Sequence, residues 1–358
     1  MVDTMQVVNT RIPVALLGAT GLVGQRLVAA LEGHPNFALS CVAASARSVG
    51  RPYGEAVHWR LPGAIPTAAA KLVVEPCDPA HVKARLVFSA IDAEVAYDTE
   101  AGFAAAGRVV VSNARSHRMA PDVPLLIPEI NATHLELIEQ QRSTRGWGGF
   151  IVTNPNCSTI GLCLALAPLQ ASVGIESVIV TTLQAISGAG YPGVSAMDLL
   201  DNVVPFVPGE EAKIESEPKK IFGHISASGV ASCALEISSQ THRVPVMDGH
   251  LLAISLRTRE RISPQRARRL FEEYRAPGEI VALPSSPERL FRVASAEDRP
   301  QPRLDRNAGH GMTVTVGRLR SCPVLDLRFE ALSHNTVRGA AGGTLLIAEL
   351  LAARGLLP

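Results

Sequence analysis

Asn154-Pro155-Asn156-Cys157-Ser158-Thr159 sets one cysteine among polar neighbours, just ahead of the apolar helical run Ile160–Leu169. Pro155 cannot sit inside a helix and Asn156 is a good cap, so Cys157 falls in a first helical turn. A thiol there is expected to ionise more readily, because free N–H groups and the helix dipole favour the thiolate. The same donors suit the oxyanion of an acyl intermediate. Cys163, deep in the apolar run, reads instead as a buried structural cysteine. A thiol nucleophile needs an acid–base partner. His250 offers one, after the turn Asp248-Gly249 and at the head of the strand candidate Leu251–Leu256; Val244–Val246 before it also reads as strand. On local pattern alone His250 reads equally well as a surface residue, and Arg243 as a surface ion pair.

Two further stretches carry chemical groups. Gln184 to Gly193 is a glycine-rich loop after the strand candidate Val178–Leu183, and such loops either line sites or merely connect. Gly209-Glu210-Glu211-Ala212-Lys213 puts two carboxylates near a lysine, in a chain whose cations are mostly arginine. It reads equally as a solvated helix start with acids in its first turn.

These groups need a frame. Ile12–Gly18, Phe37–Ser45, Lys71–Glu75, Arg85–Ala90, Arg108–Asn113 and Gly148–Thr153 are β-rich, with helical spacing at Gly21–Leu31 and Asp92–Ala106. Strand and helix in alternation imply βαβ units and a parallel sheet. The first strand runs into Gly18-Ala19-Thr20-Gly21-Leu22-Val23-Gly24. Glycines in such a loop permit a tight turn, close approach of a pyrophosphate, and close packing of helix on strand. The helix then presents its free N–H groups to the phosphates. The second strand ends in Ser45-Ala46-Arg47-Ser48 with no acid to hold a ribose diol. Arg47 and the two hydroxyls suit a 2′-phosphate, hence NADP.

Bulk properties agree with an enzyme of two domains. The 358 residues are 47% hydrophobic, enough for large cores, and the net charge of +1 gives no field for nucleic acid or a membrane surface. No apolar run is long enough for a membrane span. Met1–Arg11 reads as a short leader rather than a secretion signal. Six scattered cysteines with no CxxC pair argue against disulfides or structural zinc, so no metal is expected, and they favour a reducing cytoplasm. Ser263–Ala276 reads as an exposed basic helix without assigned function.

The strings GATGLVGQR (18–26), SARSVGRPYGEA (45–56), NPNCST (154–159), RVPVMDGH (243–250) and HNTVRGAAGG (334–343) occur in this order. Together they resemble the aspartate-semialdehyde dehydrogenase family in its archaeal and fungal branch, over most of the chain. The resemblance implies an α/β fold. A Rossmann-type parallel-sheet domain would cover 1–152, completed by 335–358 through a C-terminal helix that returns to it. An α+β catalytic and dimerisation domain would cover 153–334. It implies Cys157 as nucleophile, His250 as acid–base catalyst and Gln184 orienting the acyl group. Arg243 would grip the α-carboxylate and Glu210 face the amino group. Lys213 and Arg118 would bind phosphate, with Asn113 beside them. Gly18, Thr20, Gly21, Val23, Gly24, Ser45, Arg47 and Ser48 would hold NADP, with Ser187, Gly188 and Asn335 near the nicotinamide. The partners implied are an acyl phosphate, inorganic phosphate and a second copy of the chain, as homodimer or dimer-based tetramer. The segment between Met197 and Ile225 reads as a long insertion suited to that interface. Two other readings stand beside this one: malonyl-CoA reductase or another acyl reductase on the same frame, and a non-catalytic NADP-binding sensor. Arg115 adds a cation near the expected phosphate site and keeps the first of these open.

Overall fold

The computed structural model describes residues 11–357. The leader read at Met1–Arg11 lies, Arg11 apart, outside them. Strands β1 Ile12–Leu17, β2 Phe37–Ala44, β3 Val74–Pro76, β4 Leu86–Ser89, β5 Val109–Ser112 and β6 Phe150–Thr153 form one sheet in the order β3-β2-β1-β4-β5-β6. Every pair is parallel. β4 and β5 are buried along their whole length, which is why LVFS and VVVS are apolar or small at every position. Helices α1 Leu22–Leu31, α2 Ala93–Ala105 and α3 Leu137–Arg145 lie among the connections. The strand order reverses between β1 and β4, and in such sheets that point opens a crevice beyond the carboxyl ends. The strand expected at Lys71–Glu75 starts only at Val74, because Thr67–Ala70 forms a helical turn whose cap is Lys71.

A second sheet holds β7 Ile175–Gln184, β10 Glu236–Arg243, β11 His250–Thr258, β12 Phe291–Val293, β13 Val314–Ser321 and β14 Leu327–Ser333, in the order β10-β7-β11-β14-β13-β12. The short strands β8 His224–Ser226 and β9 Gly229–Ala231 pair separately. β7 and β10 run parallel, whereas β11 runs antiparallel to both β7 and β14. Three strands therefore end, and one begins, at the same edge. Val244–Val246, read as a strand, is not one. Pro245 has no N–H to offer a ladder, and the Val246 N–H turns back to the Val244 carbonyl.

Helix α4 Cys157–Val173 is apolar on every side because it is buried almost throughout, packed on β7, β11, β13 and β14. The segment read as an insertion contains α5 Glu210–Ile221, which packs on β10 and α4 and closes the site described below. Helix α6 Pro264–Glu273 shows its arginines to solvent but turns Ala267 and Phe271 inward. The last helix, α7 Gly342–Ala353, shares one core with Val14, Leu16, Phe37 and Val42 through Leu345, Leu346, Ile347, Leu350 and Leu351. Full burial of each such side chain contributes about 1.5–3 kcal/mol. Ahead of α7, a wide π-type turn over Val337–Ala341 carries Arg338, which forms a fully buried ion pair with Glu129 at 2.6 Å. Removing one partner of such a pair typically costs about 3–5 kcal/mol. Among the described residues no helix is long and apolar enough to cross a membrane.

Candidate active site

Asn156 caps α4 as its sequence requires: the side-chain oxygen accepts from the N–H groups of Ser158 (2.9 Å) and Thr159 (3.3 Å). Cys157 follows directly, with Sγ 3.3 Å from Nε2 of His250. His250 is fully buried, not on the surface, because it opens β11 at the edge where β7, β10 and β14 end. Its Nδ1 accepts from the backbone N–H of Ala185 at 3.0 Å.

The thiol does not ionise readily, contrary to the expectation from its place in the helix. Burial pushes its pKa up to about 12, helped by the Glu210 carboxylate, while Arg118, Arg243 and Lys213 pull the other way. Asn156 already occupies the two N–H groups that were expected to serve thiolate or oxyanion. Burial also drives His250 down to about 3, with Arg243 and His334 adding to the effect. The pair is therefore a neutral thiol beside a neutral imidazole.

The neighbouring polar groups converge on this pair. Gln184 and Arg243 are register partners at the ends of β7 and β10. Arg243 Nη1 donates to the Ala185 carbonyl (2.7 Å), and Gln184 Nε2 to Thr182 Oγ1 (3.2 Å). Glu210, first residue of α5, accepts from Asn156 Nδ2 (3.1 and 3.0 Å) and from Lys213 Nζ (2.5 Å). Arg118 donates to Glu217 (3.0 Å) and to the Asn113 carbonyl (2.7 Å). Asn335 ties the turn before His250 to the Ser187 hydroxyl, accepting from Gly249 N–H and donating to Ser187, each at 2.8 Å. The Asn113 side chain is turned to Thr344 and Asn154 (2.8 and 3.0 Å), so it braces β5 against α7 rather than facing the thiol.

Three of these partners were not read from the sequence. Glu217 accepts the Asn156 N–H (2.8 Å) while holding Arg118. Its position, one helical turn beyond Lys213, was the available signal. Lys220 is buried and donates to the carbonyls of Arg118, Ala120 and Val123 at 2.6–2.8 Å, fixing the loop that carries Arg118. Burial draws its pKa down to about 8, against the pull of Asp122 and Glu217. Gly339 lies against Cys157: a Cβ there would sit 2.7 Å from Cys157 Cβ.

The glycine loop fits a dinucleotide. Gly18 has φ +75°, and a Cβ on it would sit 2.4 Å from the Ala90 carbonyl. Gly24 lets α1 meet the strand, since its Cβ would fall 2.3 Å from the Gly18 oxygen. Gly21 is exposed and caps α1 with no side-chain bond, so the first-turn N–H groups at Leu22 and Val23 remain open to an anion. Tyr53 Oη and Gln25 Nε2 steady the loop from beneath through the carbonyls of Ala19 (2.8 Å) and Thr20 (2.9 Å). Ser45 and Arg47 are exposed beside it, and Ser48 is buried.

A dinucleotide-type sheet abutting a close Cys–His pair marks the class as a nicotinamide-dependent dehydrogenase. Models of the semialdehyde dehydrogenase NAD binding domain and dimerisation domain match residues 13–138 and 166–338. The chain is 48% identical over 341 residues to the aspartate-semialdehyde dehydrogenase of Archaeoglobus fulgidus, covering 95% of this chain and 98% of the relative. It is 45% identical over 359 residues to that of Cryptococcus neoformans, covering 97% and 98%. The crystal structure of the Candida albicans enzyme with NADP superposes with a TM-score of 0.89 at 40% identity, over 97% of this chain and 100% of that one. The chain belongs to the aspartate-semialdehyde dehydrogenase family.

Proposed function

We propose that the chain reduces L-aspartyl-4-phosphate to L-aspartate-4-semialdehyde and releases inorganic phosphate, through a thioester on Cys157. The observation that carries this reading is the Sγ–Nε2 distance of 3.3 Å, with Gln184, Glu210, Arg243, Lys213 and Arg118 grouped around it. Bound NADPH supplies the hydride, to which a thioester is more receptive than a carboxylate. The chain's own residues do the rest. Arg243 suits a carboxylate, because among the described residues only Nη1 of its guanidinium is engaged, by the Ala185 carbonyl. Glu210 offers a carboxylate to an ammonium. Lys213 and Arg118, paired to Glu210 and Glu217, would bind the phosphoryl group. Arg47 makes no ion pair among the described residues, which leaves it for a 2′-phosphate. The loop glycines with Thr20 and Val23 would hold the pyrophosphate. Ser187, Gly188 and Asn335 would border the nicotinamide. We keep 1–152 with 335–358, and 153–334, as the two functional units of a cytoplasmic enzyme.

The test is a phosphorolytic assay. Purified protein is given L-aspartate-4-semialdehyde and NADP with or without phosphate, with malonyl-CoA and NADPH alongside. Phosphate-dependent formation of reduced nicotinamide is expected, with Arg47→Ala losing about tenfold of the preference for NADP over NAD, equivalent to about 1.4 kcal/mol. Turnover of malonyl-CoA alone would move the substrate to the thioester class. Silence from folded, NADP-binding protein would favour the sensor.

For the homodimer we assign the open face of the second sheet. Ile179, Thr181 and Leu183 of β7 share this face with Ser255, Ala253 and Leu251 of β11, and no helix of the same unit covers Ile179. We assign exposed Met197, Leu200, Val203 and Phe206, on the segment before α5, to the same interface. Ile179→Arg is expected to give monomers in sedimentation; an unchanged dimer would place the interface elsewhere.

A further inference from the structure

One face of α5 carries Glu210, Lys213, Glu217 and Lys220 at successive turns. The first two meet the site directly, and the last two reach across to the loop that follows β5. That loop leaves the sheet after Ser112, carries Arg118, and comes back at Leu125, which bridges to Thr153. Its own bonds are local turns: Arg118 N–H to the Arg115 carbonyl (3.2 Å), Ala120 N–H to His117 (3.1 Å), Val123 N–H to Ala120 (3.2 Å). Local turns fix the shape of a loop but not its place relative to Cys157.

Lys220 supplies that restraint. Its ammonium has three N–H donors and nothing to accept with. They meet three carbonyls, those of Arg118 (2.7 Å), Ala120 (2.6 Å) and Val123 (2.8 Å). Among the described residues no other donor reaches the Arg118 or the Val123 carbonyl. Lys220 is only 4% exposed, and its donors are all engaged, which leaves none for a substrate. Glu217 takes hold of the same arginine at its far end. One carboxylate oxygen accepts from Arg118 Nη1 (3.0 Å), the other from the N–H of Asn156 (2.8 Å), the residue before Cys157. Arg118 is thus tied through its main chain and its guanidinium to α5 and to the start of α4.

We propose that Lys220 and Glu217 are positioning residues for the phosphoryl group: from α5 they hold the Arg118 loop in place against Cys157. This rests on the acyl-phosphate reading given above. A guanidinium serves a phosphoryl group when its N–H fork faces the oxygens, and misplacement by about an ångström costs roughly 10²-fold. Arg118 is rooted in the unit that holds the cofactor and Cys157 in the other, so a slip between the units would part them. Three bonds from one buried ammonium remove that slip and put no further charge in the path of the substrate. The other groups around the thiol do not depend on this loop. Gln184 and Arg243 end β7 and β10, and His250 opens β11. Loss of Lys220 is therefore felt by phosphate and by little else.

The experiment is the phosphorolytic assay on full-length Lys220→Met and Lys220→Gln, with thermal unfolding to check the fold. Methionine keeps the length and has no donor, whereas glutamine keeps two N–H groups and carries the test if methionine unfolds the chain. Lys220→Met is expected to raise the KM for inorganic phosphate about 10²-fold. The KM for L-aspartate-4-semialdehyde is expected to stay within about twofold, and glutamine to fall between methionine and lysine. Hydrogen exchange on the same proteins reads the loop without turnover. Amides of 113–123 are expected to lose protection while those of β5 and α4 keep it. An unchanged KM for phosphate, equal rises in both KM values, or unchanged exchange at 113–123 would overturn the proposal. A parent enzyme indifferent to phosphate would overturn the acyl-phosphate reading and this role with it, and that result shows before any substitution is made.

Discussion

Cys157→Ala is expected to lower kcat by roughly 10⁶-fold, the scale on which removal of a covalent nucleophile acts in enzymes of acyl transfer. No other group in the site can take its place. Cys163, two helical turns further into α4, is buried in the apolar core, and burial pushes its thiol still further from ionisation. The substitution is small and keeps helix α4 intact, because the cap is supplied by Asn156 and not by the cysteine. NADP binding should persist, since the glycine loop follows β1 and owes nothing to the thiol. Single-turnover rates and cofactor titration on the same preparation check both halves. Retained turnover would remove the thioester from the mechanism. Loss of cofactor binding as well would show that the substitution had disturbed the fold.

Gly188→Ala is expected to lower kcat/KM by about 10²-fold, since displacement of catalytic groups by about an ångström costs that much. This corresponds to about 2.7 kcal/mol of transition-state stabilisation. The added Cβ would meet Arg243 Nη1 at 2.9 Å and His250 Cε1 at 3.0 Å. Neither neighbour yields cheaply: Arg243 is bonded to the Ala185 carbonyl, and His250 is enclosed and tethered through Nδ1. The loop at 188 is exposed, so global stability should change little. The measurement is a steady-state comparison alongside thermal unfolding. Activity within twofold of the parent would mean that the 186–189 turn shifts to absorb the methyl group, and that the ring is less confined than its contacts indicate.

Much of the frame was legible because it rests on local chemistry. The glycine loop after a β-rich run could only be a tight turn into a helix. Asn156 after Pro155 could only be a cap, and the alternation of strand and helix led to a parallel sheet. Boundaries slipped where a competing local bond intervened, as at Lys71, or where proline withdrew a ladder donor, as at Pro245. The site was legible in its residue types but not in their states.

The sequence by itself determined which groups were present and which of them sat at element ends. Cys157 was placed at a helix start and His250 after a turn, while Glu210 and Lys213 were read only as close in sequence, on a stretch that reads equally as a solvated helix start. Only the tertiary structure decided their charge and company. Cys157 and His250 lie 93 residues apart, and the partners that bury and orient them come from β7, β10, β11, α5 and the turn before α7. Helix position favours a thiolate, but desolvation is set by everything packed around the sulfur, and here it outweighs the dipole. Likewise the partner of a histidine's far nitrogen is set by the fold. For His250 it is a backbone N–H at Ala185, common to every residue but proline, and so invisible in sequence.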